Sequence, residues 1–300
     1  MRTVDSARTQ EATQTPFTTF DGHTLAVFDW PLPPQRVPRA VVLIVHGLGE
    51  HAWRYDTLAT ELNAAGYAVR AYDQRGHGES AGQRGCLPSP DTLVRDLTEL
   101  VEDTRHLLCR RHHLPLVLLG HSMGGLVSAL WVARAQAALP GQPLPVRALV
   151  LSSPALKTDL TLVQRLLLAT LPRWAPHLTV SNGLDPHALS HAADVVAAYQ
   201  ADPLVHDRIS PRLGRFIAQG GPEVLAHAPQ WRVPTLLMYA GSDLLVNPQG
   251  SRRFARMAPV GVVEAHCFED FFHEIFHEVH RMEAVERLLI WLDRHGEIEG

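Results

Sequence analysis

The sequence predicts an α/β fold in which a mainly parallel, doubly wound sheet is covered by helices on both faces. Three observations support this prediction. Short apolar runs alternate with helical patterns along most of the chain. These runs lack the polar alternation of a sheet that faces water on one side, so we expect them to be buried on both faces. Of the 300 residues, 46% are hydrophobic and 19% charged, which allows a large core and excludes a disordered chain.

The individual elements follow from local patterns. The first two strands are predicted within 17–30, on either side of a turn at Asp21-Gly22, and the first buried strand is the β-branched run at 40–47. Further strands are predicted at 67–73, 115–120, 146–154, 234–243 and 262–268. Helices with apolar residues at a 3.6-residue spacing are predicted at 55–66, 92–111, 123–137 and 274–294, with one more between the last two strands.

The alternation of strands and helices stops once, between about 156 and 230. That stretch contains helical patterns at 158–174 and 212–228 and no convincing strand. We interpret it as an insertion that lies over one edge of the sheet. The predicted organisation is a flexible N-terminal tail (1–15), an α/β core (16–155 and 231–300) and a helical cap or lid (156–230).

Charge and cysteine usage exclude several classes of protein. The net charge is −4, from 27 Lys and Arg against 31 Asp and Glu, and no basic cluster supports a nucleic-acid partner. The 3 cysteines lack C-x-x-C spacing and suit free thiols in a reducing compartment. No apolar run approaches the roughly 20 residues of a membrane span, and residues 1–15 do not resemble a signal peptide. We therefore expect a cytoplasmic protein.

The segment Gly120-His121-Ser122-Met123-Gly124 carries the clearest chemical signal. This G-x-S-x-G pattern lies where an apolar strand ends and a helix begins, which is the setting of a nucleophile elbow. Small residues on both sides of Ser122 allow the tight turn that exposes its hydroxyl. The start of the following helix offers free N–H groups to a developing oxyanion. The alternative is a glycine-rich turn that only packs strand against helix.

A nucleophilic serine needs a base and an orienting carboxylate. Asp243 ends the strand at 234–243, and His273 follows the last strand, so both are predicted at the carboxyl edge of the sheet. Asp270 is a rival acid, because it lies only three residues before His273. We favour Asp243, since the acid must reach His273 from a neighbouring strand end.

The loop His46-Gly47-Leu48-Gly49 follows the buried strand residues 40–45 and can direct a backbone N–H toward the serine. The N–H groups of Leu48 and Met123 are therefore the candidate oxyanion donors. An ordinary glycine turn is the alternative interpretation of this loop.

Five segments, taken together, support a family resemblance. They are HGLGEHAWRY (46–55), YDQRGHGES (72–80), GHSMGG (120–125), GSD (241–243) and HE (273–274). In these segments the chain resembles the monoacylglycerol lipases and bacterial lysophospholipases, which are α/β-hydrolases of the serine-aminopeptidase type. The resemblance spans about 17–295 and implies an α/β-hydrolase fold with a cap at 156–230. It also implies a Ser122–Asp243–His273 triad and the oxyanion donors Leu48 and Met123.

The resemblance also bears on residues around the site. In some members of the family, the residues matching Glu50 and Arg54 lie near the alcohol end of the substrate, so both are candidate head-group contacts. The alternative is that they brace the oxyanion loop. We interpret Asp73, Arg75 and His77 as scaffolding of the neighbouring loop.

The function predicted from these residues is hydrolysis of a carboxylic ester, with a small-molecule acyl ester or lipid as the substrate and without a cofactor or metal. A single-chain lipid such as a monoacylglycerol or lysophospholipid fits best. The same triad could serve an aminopeptidase, a thioesterase or a perhydrolase, and acidic residues in the lid keep the aminopeptidase open. A non-catalytic binding protein is disfavoured because every triad member is present. Acyl chain length, head group and oligomeric state are left open.

The segment HEIFH at 273–277 matches the zinc-protease pattern H-E-x-x-H. If 274–294 is one helix, Ile275 and Val279 lie on its apolar face, whereas His277 and His280 lie on the polar face and point to water. We therefore predict no metal site here.

The lid contains an unusually apolar helix in 160–171, LTLVQRLLLATL. A helix that is apolar on more than one face is either buried or faces a lipid. Leu167 and Leu168 are candidate contacts of an acyl chain, and transient contact with a membrane or micelle through this helix remains an option. Packing of the whole helix on the sheet edge and the second lid helix is the alternative.

Overall fold

The computed structural model describes residues 12–159 and 161–295, with the side chains of 162–165 outside the description. Among these residues the largest element is an eight-stranded sheet. The strands of the chain are β1 (Thr13–Thr18), β2 (Thr24–Trp30), β3 (Val41–Val45), β4 (Ala68–Tyr72), β5 (Leu116–His121), β6 (Ala148–Ser152), β7 (Val180–Ser181), β8 (Arg208–Ile209), β9 (Thr235–Ala240) and β10 (Val263–Phe268). The α-helices are α1 (Asp56–Ala64), α2 (Thr92–Thr104), α3 (Ser122–Ala138), α4 (Leu162–Trp174), α5 (Ala193–Ala201), α6 (Pro211–His227), α7 (Gln249–Met257) and α8 (Met282–His295).

The sheet has the order β1-β2-β4-β3-β5-β6-β9-β10. Its last six strands in this order, β4, β3, β5, β6, β9 and β10, are parallel. The first two strands form an antiparallel edge, because β2 pairs antiparallel with both β1 and β4. Every residue of β3 is buried, as its continuous Val-Val-Leu-Ile-Val sequence requires of a central strand. The prediction of a mainly parallel sheet with helices on both faces is confirmed.

Two hydrophobic clusters lie on opposite faces of this sheet. One contains side chains of α2, α3, α6 and α7, including Leu97, Leu126 and Phe254. The other contains side chains of α1 and α8, including Leu62 and Trp291. Residues of the central strands alternate between the two clusters, so the doubly wound packing follows from strands without a polar face.

Two details of the strands differ from the sequence predictions. Strand β1 begins at Thr13, so 13–15 pair with β2 instead of belonging to a tail, and 1–11 lie outside the described residues. The segment 156–230, here called the lid segment, contains the short antiparallel pair β7–β8, where no strand was expected. Its residue Leu160 lies outside the described residues.

None of the helices in the described part of the chain has the length and apolar character that a membrane span requires.

The last helix begins at Met282, and the prediction that it starts near 274 is wrong. The buried carboxylate of Glu278 accepts hydrogen bonds from the backbone N–H groups of Phe272 (2.8 Å) and Val279 (3.0 Å) and pairs with His191 Nδ1 (2.8 Å). These bonds hold 272–281 as turns, because a side chain that binds local N–H groups offers the backbone an alternative to the helix.

Candidate active site

Ser122 occupies a strained turn between β5 and α3. Its φ of +53° lies in the left-handed region, which a side chain rarely adopts without support from its surroundings. The chain is tightly packed here: a Cβ atom on Gly124 would lie 2.1 Å from the carbonyl oxygen of Val45, the last residue of β3. The G-x-S-x-G pattern is therefore needed for the turn itself, which places Ser122 at the carboxyl edge of the sheet.

Asp243 and His273 meet at the same edge, after β9 and β10. Asp243 Oδ2 lies 2.7 Å from His273 Nδ1, and both side chains are almost fully buried. The other oxygen, Oδ1, accepts the N–H groups of Leu245 (2.9 Å) and Val246 (2.8 Å). These two bonds fix the direction in which the carboxylate faces the imidazole. Asp270, the rival acid, is exposed to solvent.

The electrostatic setting of His273 favours the protonated ring more than water does. Burial, the largest single influence, lowers the pKa of His273. The Asp243 carboxylate, with smaller contributions from Glu274 and Glu50, raises it, and together these carboxylates bring the net pKa above the usual 6.5. An imidazole held in this way is a stronger base than a free histidine and is stabilised once it has taken a proton.

The oxyanion loop lies against the elbow. A Cβ atom on Gly47 would be 2.9 Å from Glu50 Oε1 and 3.2 Å from Ser122 Cβ, so a side chain at this position would crowd both residues. The N–H of Gly47 donates to Glu50 Oε1 at 2.5 Å, which holds the loop from behind. Leu48 and Met123, the two expected backbone donors, line the same cavity as Ser122 and His273.

A buried charge cluster connects this loop to the histidine loop. Arg54 donates from both terminal nitrogens to Glu274, at 2.5 and 2.7 Å, and also to Glu50 Oε2 at 3.1 Å. Tyr55 donates its hydroxyl to Glu50 Oε1 at 2.8 Å. Glu50, Arg54 and Glu274 therefore form a brace in which one guanidinium holds two carboxylates. The role of Glu274 in this brace was not predicted from the sequence. A signal for it was present, since Glu274 directly follows the predicted base His273.

A second set of hydrogen bonds holds the start of the oxyanion loop. His46 Nε2 accepts the N–H of Gln74 at 2.8 Å, and the side-chain amide of Gln74 donates to the carbonyl of His46 at 2.6 Å. Burial lowers the pKa of His46 to about 3, so the ring is neutral and free to accept. Asp73 receives the N–H groups of Ala52 and Glu79, both at 2.7 Å. His46 and the loop at 73–77 thus have scaffolding contacts.

Ser122 and His273 line a cavity of about 450 Å³ between the carboxyl edge of the sheet and the lid segment. We call it the acyl cavity. Both lid residues singled out from sequence, Leu167 and Leu168, line it, as does Glu50. Arg54 is not part of this lining: it lies behind Glu50, with its guanidinium 4.8 Å from the ring centroid of Tyr199. The other apolar residues of the lid segment in the lining are Leu171, Val180, Leu184, Leu189, Ile209, Pro211, Ile217 and Ala218.

The H-E-x-x-H segment does not form a metal site. It lies on turns rather than on a helix, so its two histidines are not one helical turn apart. His277 Nε2 lies 2.8 Å from the carbonyl of Arg54, and its Nδ1 is 3.2 Å from Glu274. His280 is exposed. No group of three or more potential metal ligands converges anywhere in 12–159 and 161–295. His277 is half-buried, so the expectation that it points to water is wrong.

Comparison with known proteins agrees with this geometry. A monoacylglycerol lipase of Mycolicibacterium smegmatis is 35% identical over 87% of this chain and 91% of its own length. The crystal structure of a monoacylglycerol lipase from Paleococcus ferrophilus has a TM-score of 0.78 and 31% identity, covering 95% of this chain and all of that one. An uncharacterised abhydrolase domain-containing protein of Dictyostelium discoideum is 31% identical over 91% of this chain, which spans only 28% of that relative's length.

A family model places these likenesses in one group. The model described as serine aminopeptidase, S33 matches residues 36–280, which include β3, the elbow, the lid segment and both later triad positions. The chain therefore belongs to the serine aminopeptidase S33 family of α/β-hydrolases.

Proposed function

We propose that this protein hydrolyses single-chain acyl esters, such as a monoacylglycerol or lysophospholipid, through an acyl-enzyme intermediate. The chain is a carboxylic-ester hydrolase, as its family and its monoacylglycerol lipase relatives indicate. The observation that supports the mechanism best is the buried Asp243–His273 pair, which shares the acyl cavity's edge with Ser122 on its strained turn.

In this mechanism the Ser122 hydroxyl attacks the ester carbonyl carbon while His273 removes its proton. Asp243 holds the imidazole in the required tautomer and stabilises the imidazolium. The backbone N–H groups of Leu48 and Met123 bind the carbonyl oxygen as it becomes an oxyanion. His273 then returns the proton to the leaving alcohol, and water releases the fatty acid from Ser122 by the same sequence of steps.

The shape and chemistry of the acyl cavity support a substrate with one acyl chain. Its volume of about 450 Å³ lies within the range of roughly 300–1,000 Å³ typical of small-molecule sites. Leucines of the lid segment supply apolar walls for the chain, while Glu50 and Tyr199 add polar groups to the lining. Glu50 is thus a candidate contact of the alcohol part, and Arg54 supports it from behind.

An aminopeptidase receives less support, because an amine substrate needs a free carboxylate in the cavity. Glu50 and Glu274 are both engaged in ion pairs with the one guanidinium of Arg54, so neither is a free carboxylate. Among the acidic residues of the lid segment, Asp202 pairs with His51 and Glu223 with Arg134. Asp159 lines the cavity but is highly exposed and bonded to Asn247.

We also propose that the lid segment touches a micelle or membrane surface transiently, with the protein otherwise cytoplasmic. Leu166 and Trp174, at the two ends of the described part of α4, are 66% and 86% exposed. Such exposed apolar groups suit contact with an aggregated lipid.

The proposal is tested by a substrate profile. p-Nitrophenyl esters from C2 to C16 are compared with a monoacylglycerol and lysophosphatidylcholine, and a fluorophosphonate probe reports the nucleophile. We expect hydrolysis of the single-chain lipids and labelling of Ser122. Turnover confined to peptide or thioester substrates, or labelling of another serine, would contradict the proposal.

A further inference from the structure

A second cavity, of about 600 Å³, lies between α4, α6, α7 and the chain that follows β6. We call it the outer groove. None of the described residues that line it belongs to the triad or to the oxyanion loop. Its lining combines basic side chains with apolar ones, a combination that suits an amphiphilic ligand with a negative charge.

The outer groove and the acyl cavity share a wall. Thr158, Leu168 and Ala218 line both cavities. Leu168 packs closely on α6, since its Cδ2 lies 3.0 Å from the position that a Cβ atom on Gly214 would take. A single layer of side chains therefore separates the space next to the nucleophile from the outer groove.

The charges of the outer groove have one sign. Lys157, Arg215 and Arg253 line it, and the described lining includes no carboxylate. Among the described residues, neither Arg215 nor Arg253 has a carboxylate partner within salt-bridge distance. The partner of Lys157 is Asp159 at 3.7 Å, a side chain that is 69% exposed. Arg215 and Arg253, which lack a carboxylate partner and lie next to apolar walls, favour an amphiphilic anion.

Two of these cations, Lys157 and Arg253, lie on the same side of α7: Arg253 belongs to the helix, and Lys157 packs against it. Gly250, Arg253 and Met257 are spaced by three and four residues and so share one face of the helix. Lys157 packs against this face, because a Cβ atom on Gly250 would be 2.9 Å from Lys157 Cβ. Lys157 and Arg253 therefore border the same face of α7 in the lining of the groove, with Met257 one turn further along.

We propose that the outer groove binds a long-chain fatty-acid anion, with its carboxylate between Lys157 and Arg253 and its alkyl chain along Leu168, Leu225 and Met257. A guanidinium pairs with a carboxylate through charge-assisted hydrogen bonds, and the apolar walls take up the chain. This inference rests on the proposed function, because a fatty-acid anion is the product of that reaction. The groove then holds the product beside the cavity in which it forms.

Calorimetric titration with dodecanoate tests the proposal directly. Arg253→Gln removes one cation from the groove, and Arg256→Gln is the matched control, since Arg256 is exposed on the same helix and is absent from the lining. We expect Arg253→Gln to weaken dodecanoate binding about tenfold or more and Arg256→Gln to leave it unchanged. The neutral probe 1-dodecanol should bind equally to both variants.

Equal dodecanoate affinity in the two variants, or no binding to the wild type, would overturn the proposal. The titration needs no turnover, so Ser122→Ala should bind dodecanoate as the wild type does. Binding that depends on Arg253 in a protein that hydrolyses no ester would leave the groove assigned and remove the proposed function. Ester hydrolysis without such binding would support the proposed function and overturn the assignment of the groove.

Discussion

The carboxyl edge of the sheet and helix α4 of the lid segment are held in place by different interactions. At the sheet edge, Asp243, Glu50 and His46 are each fixed by at least two hydrogen bonds in buried surroundings. In the lid segment, α4 packs on α6 through apolar contacts such as that between Leu168 and Gly214. Hydrogen bonds fix direction, whereas apolar contacts fix mainly distance and volume. We infer that the edge determines the chemistry and the lid determines the substrate.

The largest expected effect removes the nucleophile from the sheet edge. Ser122→Ala should lower kcat for p-nitrophenyl butyrate by about 10⁶-fold. The residues of a triad act as a unit, so the loss of the nucleophile alone costs about as much as the loss of all three. The circular dichroism spectrum and thermal midpoint should stay close to those of the wild type. Residual activity within a hundredfold of the wild type would show that another group carries the reaction.

The acid of the triad gives the next largest effect. Asp243→Asn should reduce kcat by about 10⁴-fold, the cost of the wrong histidine tautomer in a serine protease. Asp270→Asn is the control, since Asp270 is exposed and lies close to His273 only in sequence. If the Asp270 variant lost more activity than the Asp243 variant, the acid would be misassigned.

The brace tests whether the edge depends on its buried charges for stability. Arg54→Met leaves the Glu50 and Glu274 carboxylates buried without their cation, which should cost about 3–5 kcal/mol in the free energy of unfolding. Urea denaturation measures the loss, with Arg256→Met as an exposed control. The double variant Arg54→Met with Glu274→Gln should recover part of the stability. No recovery would mean that the loss comes from packing and not from charge.

The pH profile should report the raised pKa of His273. The base works only when its ring is neutral, so kcat/KM should fall about tenfold per pH unit below the pKa of His273. Because Asp243 raises that pKa, the midpoint of the fall should lie above 6.5. In Asp243→Asn the midpoint should move to lower pH. A wild-type midpoint below 6.5 would contradict the electrostatic account.

The same contrast explains which features could be predicted from sequence. The pairing of Asp243 with His273 in the proposed triad could be predicted, because the strand ends of a parallel sheet meet at one edge. The start of α8 could not be predicted, because Glu278 binds His191, which lies 87 positions away in the chain, and no local pattern reveals this contact. The outer groove could not be predicted for a related reason: Lys157, Arg215 and Arg253 belong to three separate segments, and only the fold brings them together, where the lid segment packs against α7.

The smallest expected effect concerns the lid, where two neighbouring leucines make a matched pair. Leu167 lines the acyl cavity, whereas Leu166 is 66% exposed and is not part of the lining. Leu167→Asp should reduce kcat/KM for a C12 ester at least about tenfold more than for a C2 ester, since each buried CH₂ contributes ~0.8 kcal/mol that a carboxylate in the wall disturbs. Leu166→Asp should leave that ratio unchanged and instead weaken binding to lipid vesicles. Equal losses on both esters in Leu167→Asp would mean that this residue only supports the fold. A changed ratio in Leu166→Asp would mean that the acyl chain runs along the exposed face of α4, so that the lid selects its substrate at the surface rather than in the cavity.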